Sequence, residues 1–151
     1  MAAQPPGAFL NGAQTWSREE TTMIQRIMLP GVMAPVSHYC HVVRAGPLVW
    51  VSGVVGMDDA GNVPESTVAQ FDLAMDVMDQ CLRAAGAGPE HVVKVQVFLT
   101  DVGERAAINP RRIAYFGEHR PASTLVEVSA LVDPRLKVEI ECQAYVLDAA
   151  G

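Results

Sequence analysis

Arg44-Ala45-Gly46-Pro47-Leu48-Val49-Trp50-Val51-Ser52-Gly53 is the stretch on which the fold turns. Gly46-Pro47 breaks any regular element, and a β-rich run stands on either side of it, residues 39–43 before and 48–53 after. Two such runs around a tight turn predict a β-hairpin. Upstream, residues 24–29 read as a short strand stopped by Pro30-Gly31. Downstream, Asp58-Asp59-Ala60-Gly61-Asn62 reads as a further turn.

Past that turn the apolar period changes from two to 3.6. Phe71, Ala74, Met75, Met78, Cys81, Leu82 and Ala85 make one apolar helical face. Thr67 and Gln70 have the spacing of a capping box at its start, and Gly86 ends it in the left-handed conformation. The Met and Cys side chains on that face read as core filling. Residues 92–99 alternate again, with Val93, Val95 and Val97 on one side and Lys94, Gln96 and Phe98 on the other. Asn109-Pro110 reads as an N-cap followed by proline at the first helical position, opening a helix through Ile113 and Phe116. Two last strands fall near 125–129 and 137–147. The order β-β-α-β-α-β-β predicts an α/β (α+β) protein with helices on one face of a mixed sheet. The other face is left without a helix, which predicts self-association through it.

The chain has 151 residues, half of them hydrophobic and 19% charged, which suits a single domain with one core. Residues 1–22, rich at first in Pro, Gly, Ala and Gln, read as a flexible arm that Trp16 pins down, ahead of one domain over 23–151. The opening residues lack the pattern of a secretory signal, and no apolar run reaches membrane-spanning length. Cys40, Cys81 and Cys142 are odd in number and widely spaced, so reduced thiols in a cytoplasmic protein are expected. A net charge of −6 offers no uniform attraction to nucleic acid or to an anionic membrane. Arg105, Arg111, Arg112 and Arg120 cluster in sequence and read as a solvated helix face rather than a binding patch.

A resemblance joins these pieces. Arg44 to Gly53, Ala84-Ala85-Gly86, the run Val92 to Asp101, Asn109 before Tyr115-Phe116-Gly117, Arg120-Pro121-Ala122 leading to Val126-Glu127-Val128, and Lys137-Val138-Glu139-Ile140-Glu141 occur in the order of the Rid family, also called the YjgF or endoribonuclease L-PSP family. The similarity runs from about residue 39 to 146. It implies a chorismate-mutase-like fold, a homotrimer with clefts between subunits, and hydrolysis of reactive enamines and imines to a carbonyl compound and ammonia. It also implies that no metal or organic cofactor is used.

Residue by residue, the resemblance makes Glu139 the cleft acid. A carboxyl group in a partly dry cleft can protonate an enamine carbon or activate water at an imine carbon. Periodicity alone reads Glu139 as a solvent-facing strand carboxylate, on the same face as Glu141, which is taken as structural. Tyr39 corresponds to a cleft tyrosine or to packing at a strand start. Ser52 corresponds to a hydrogen-bonding serine, and Gly53 to a place where ligand approaches the backbone, or the two form a turn. Asn109 corresponds to a cleft asparagine, although capping a helix explains it equally.

The main departure is at Ser123. Typical imino-acid deaminases of the family carry an arginine there that grips the substrate carboxylate, and the uncharged Ser123-Thr124 pair cannot replace it. Activity on simple 2-imino acids is therefore not expected. A larger conjugated acid such as 2-aminomuconate, with its anion held by His38, His41 or Arg120, is the alternative substrate. Ser37-His38 and Cys40-His41 flank Tyr39 where relatives have other residues. A zinc site there is disfavoured because adjacent strand positions face opposite ways. Against the enzyme stands a non-catalytic trimer that binds a small metabolite. Ribonuclease activity fits poorly with the acidic balance and the lack of a basic, aromatic stripe.

Overall fold

The structure, a computed structural model, describes residues 23–147. The expected arm over residues 1–22, with Trp16, lies outside them. Six strands form one sheet: β1 Ile24–Ile27, β2 Val42–Ala45, β3 Leu48–Val55, β4 Val92–Leu99, β5 Ala122–Glu127 and β6 Val138–Tyr145. The helices are α1 Thr67–Ala84 and α2 Arg105–Phe116. Across the sheet the order is β1-β2-β3-β6-β4-β5, with β4 and β5 parallel and every other pair antiparallel. The sheet is therefore mixed, and both helices lie on one face. This is the expected fold class.

Alternation on β6 shows how the faces divide. Val138, Ile140, Cys142 and Ala144 are buried toward the helices, and Glu139, Glu141, Gln143 and Tyr145 point the other way. The expected stripe of α1 is buried in full, from Phe71 to Ala85, against β3 and β6. Gly86 follows with φ of 76°, the left-handed end that the sequence predicts. Buried Arg44 donates to the Ala85 carbonyl at 2.6 Å and to the Gly46 carbonyl at 3.0 Å. One cation thus joins the hairpin turn to the negative end of α1.

Four local expectations change. Ser66, not Thr67, caps α1, its hydroxyl accepting from the Ala69 N–H at 3.1 Å. Gln70 is fully buried and donates to the carbonyls of Pro64 and Arg135, while its Oε1 accepts from the Lys137 N–H. Val93 is half exposed, because a register shift between Val92 and Lys94 removes it from the Val95–Val97 side. Tyr39 precedes β2 in a loop rather than starting a strand.

The fourth change bears on function. Asn109 does not cap a helix: α2 begins at Arg105, after a short 3-10 turn whose own cap is Asp101. Pro110 sits inside α2, where its missing N–H forfeits one helical hydrogen bond. Asn109 is exposed on that helix, and its side chain makes no hydrogen bond among the described residues.

Candidate active site

The site is built around a bulge. Val51 pairs with Cys142 and Val54 with Ile140, so Ser52 and Gly53 together stand opposite Glu141 alone. A bulge of this kind bends its strand and re-aims the side chains beside it. Here it brings Gly53 against Glu139, whose carboxylate occupies the space that a β-carbon at position 53 would need. Glycine is required at 53 by this close approach, not by its backbone angles. Glu139 is half-buried on the face opposite the helices. Its pKa is raised above the usual value, first by burial and then by the neighbouring charge of Glu141.

Gly53 also borders a pocket lined by Met33, Tyr39, His41, Ser52, Val54, Val55, Met57 and Val77. The wall of this pocket is the loop between β1 and β2, and β3 ties it down. The Ser52 hydroxyl donates to the Cys40 carbonyl at 2.6 Å, and the Ser52 N–H donates to the His41 carbonyl at 2.9 Å. His41 is buried, its Nδ1 accepting from the Leu29 N–H at 3.0 Å and its Nε2 lying 2.9 Å from the Met33 carbonyl. A ring that accepts at Nδ1 must carry its proton on Nε2 to donate to that carbonyl. Both nitrogens are engaged, so His41 is a strut of the wall and not a free anion donor. Tyr39 is 40% exposed, with its hydroxyl accepting weakly from the Val36 N–H at 3.4 Å.

The remaining candidates lie elsewhere. Ser123 is on β5 with its side chain on the helix side, where its Oγ accepts from Arg112 Nη2 at 2.6 Å. Thr124 faces the other way and accepts from Lys94 Nζ at 2.8 Å. Asn109 is on α2, and Arg120 is exposed in the turn between α2 and β5. Ser123 lies two strands from Glu139 and three residues along from its register, which standard strand spacings place about 14 Å away. One protomer therefore holds two groups: Tyr39, Ser52, Gly53 and Glu139 in one, and Asn109, Ser123 and Arg112 in the other. Sequence reasoning placed Arg112 on a solvated helix face, whereas the structure half-buries it and turns it toward Ser123 on β5. Nothing in the run Arg111-Arg112 says which of the two turns toward β5.

His38 is exposed, and no group of three or more His, Cys, Asp or Glu side chains suited to a metal ion occurs among the described residues. A second hollow lies on the uncovered face, bordered by Trp50, Lys94, Gln96, Glu141 and Gln143.

The sequence pattern described as endoribonuclease L-PSP matches residues 31–146, which includes every candidate named above. The chain belongs to the endoribonuclease L-PSP (Rid) family. Reactive Intermediate Deaminase A of Arabidopsis thaliana, a chloroplastic protein, is 31% identical over 142 residues, which are 93% of this chain and 73% of that one. The 3-aminoacrylate deaminase RutC of Acinetobacter baylyi is 32% identical over 127 residues, 82% of this chain and all of that one. Among solved structures, RidA from an Antarctic Psychrobacter species superimposes with a TM-score of 0.77 at 32% identity, covering 81% of this chain and 99% of that one. At the level of the Rid family, the activity these relatives support is deamination of imines or enamines. Relatives occur in chloroplasts and mitochondria, so membership of the family does not settle the expected cytoplasmic location. No helix among the described residues is long and apolar enough to cross a membrane.

Proposed function

We propose that this chain hydrolyses a reactive enamine or imine to a carbonyl compound and ammonia, with Glu139 as the acid and base. The observation that carries the reading is the Glu139 carboxyl held against Gly53 and half-buried, with burial raising its pKa above the ordinary value. Protonated Glu139 gives its proton to the enamine carbon, and the electrons of the double bond shift to leave an iminium ion. The carboxylate then takes a proton from water as the water oxygen bonds to the iminium carbon. Glu139 next returns that proton to the nitrogen of the tetrahedral intermediate. Ammonia departs as the C–N bond breaks, and the hydroxyl proton passes back to Glu139 as the carbonyl forms. For an imine substrate the first proton goes to the imine nitrogen instead of to carbon, giving an iminium ion from which the same steps follow.

The two separated groups support a homotrimer in which a cleft between copies unites them. Leu48, Trp50, Val126 and Tyr145 are each about 40% exposed on the uncovered sheet face, a surface that further copies would cover. Ser123 has no charge, so a carboxylated substrate needs its cation from another residue. That need is why the small 2-imino acids remain poor candidates in this reading and a conjugated acid of the 2-aminomuconate type a better one.

The test is ammonia release across a panel of simple 2-imino acids, 3-aminoacrylate and 2-aminomuconate, run with wild type and Glu139→Gln. The reading expects turnover of at least one member and a loss of about 10²–10⁴-fold in the variant. Equal rates in the two proteins refute the role of Glu139. Saturable binding of product-like acids with no turnover of any member establishes the non-catalytic reading instead. Sedimentation at micromolar concentration should return the mass of three chains.

A further inference from the structure

Glu139 does not stand alone on its strand face. Alternation along β6 puts Glu141 on the same side, two residues on, which standard strand spacing places about 7 Å away. The two carboxyls have different neighbours. Glu139 lies between its register partners, Val55 of β3 and Phe98 of β4, with Gly53 against its tip. Glu141 lies across from Gln96 and from the bulge, and it borders the polar hollow of the uncovered face with Lys94, Gln96 and Gln143.

No cation answers this pair. Among the described residues the Glu141 side chain enters no ion pair and no hydrogen bond. Lys94, the cation bordering the hollow, donates to Thr124 Oγ1 at 2.8 Å. Lys137, two residues before Glu139, donates to the Glu65 carbonyl at 2.6 Å. On this side β3 brings Ser52 and β5 brings Thr124 and Val126, all uncharged. The loop before β2 brings Tyr39, the exposed His38 and the fully engaged His41. Two carboxyls this close, without a counter-ion, do not ionise independently, and one is favoured to hold its proton. Their surroundings assign the roles: the proton to Glu139 among apolar neighbours, the charge to Glu141 beside amides. The pKa of Glu139, raised by burial and then by the charge of Glu141, runs the same way.

We propose that Glu141 is a positioning residue for the reaction: its charge, one step along the same strand face, keeps a proton on Glu139 ready for the substrate. The inference rests on the Glu139 reading and adds what keeps that acid loaded. The sequence pattern takes Glu141 as structural, and in this role it touches no reacting atom. It acts only through its field at Glu139, so its contribution follows pH.

Carboxyl titrations by carbon-13 NMR on the intact protein read the pair directly, the Glu139 signal being the one missing in Glu139→Gln. Glu141→Gln removes the charge and Gln96→Lys sets a cation opposite it, and both should move the Glu139 midpoint down toward the ordinary carboxylate range. Glu141→Asp keeps the charge and should stay near wild type. If Glu141→Gln does not fold, Gln96→Lys decides.

The pH profile of kcat/KM for 3-aminoacrylate gives the consequence. Its alkaline limb should move to lower pH in Glu141→Gln and Gln96→Lys, with a loss of roughly tenfold at pH 8 and less than about twofold on the low-pH plateau. A merely structural role would lower the rate alike at every pH, and that outcome overturns the proposal. So does a Glu139 midpoint that keeps its wild-type value once the charge at 141 is removed or neutralised. Full turnover in Glu139→Gln sinks the proposed reaction instead, and the titration then judges the pair by itself.

Discussion

The carboxylate of Glu139 rests against the α-carbon of Gly53 with no room for a β-carbon between them. Two strands meet at this point, one bulged and one regular, and the contact converts a backbone irregularity into a position for an acid.

Gly53→Ala follows directly. The added methyl meets the far end of a flexible side chain rather than backbone, so the Glu139 carboxylate swings away and the fold survives. Stability should fall by about 1 kcal/mol and activity by about a hundredfold, since a displacement near 1 Å costs that much. Chemical denaturation and steady-state kinetics on the same preparation check the contrast; equal losses in both would show that Gly53 serves the fold alone.

The raised pKa of Glu139 makes a prediction about stability against pH. A folded-state pKa above the ordinary value of 4.5 means that the folded protein favours the protonated acid. The stabilising contribution is complete below 4.5 and disappears as pH climbs through the folded pKa. Glu139→Gln should therefore be more stable than wild type at pH 8, with the advantage shrinking as pH approaches 4.5. Denaturant melts at several pH values measure it. A pH-independent difference would mean that Glu139 titrates as in the unfolded chain.

His41→Leu should strand the Leu29 N–H and the Met33 carbonyl, both now held by the ring. Loss of two partners in a partly buried wall costs about 2 kcal/mol. Hydrogen exchange at the Leu29 amide should rise in the variant, while amides of α1 stay protected; uniform exchange changes would point to global destabilisation instead.

Gln70→Leu removes three hydrogen bonds that fasten the start of α1 to the segment entering β6. Unpaired backbone groups at a fully buried position should lower stability by about 3 kcal/mol. Because that segment leads directly to Glu139, kcat should fall even at temperatures where the variant is folded. Thermal melts beside rate measurements separate the two effects.

Much of the fold was legible because its signals are local. The Gly46-Pro47 turn, the α1 stripe and the alternation of β4 beyond Val93 are each written within fifteen residues, and each lies where the pattern places it. The misreadings have one physical origin. Thr67 and Gln70 carry capping-box spacing, yet Gln70 finds partners at Arg135 and Lys137, more than sixty residues away. Asn109-Pro110 has the signature of a helix start, yet Asp101 begins the turn that leads into α2 two turns earlier. Val93 obeys the alternation until the pairing with β6 slips beside it.

The chain's own residue order settled which segments are strands and helices, and that a carboxylate, a glycine and a serine recur in the pattern of the Rid family. Tertiary structure alone decided which groups meet. The bulge presses Gly53 onto Glu139, the loop fold uses up both nitrogens of His41, and helix phase sends Arg112 rather than Arg111 to Ser123. Periodicity is a property of neighbours along the chain, whereas a site depends on distances across it, and those exist only once the strands have paired.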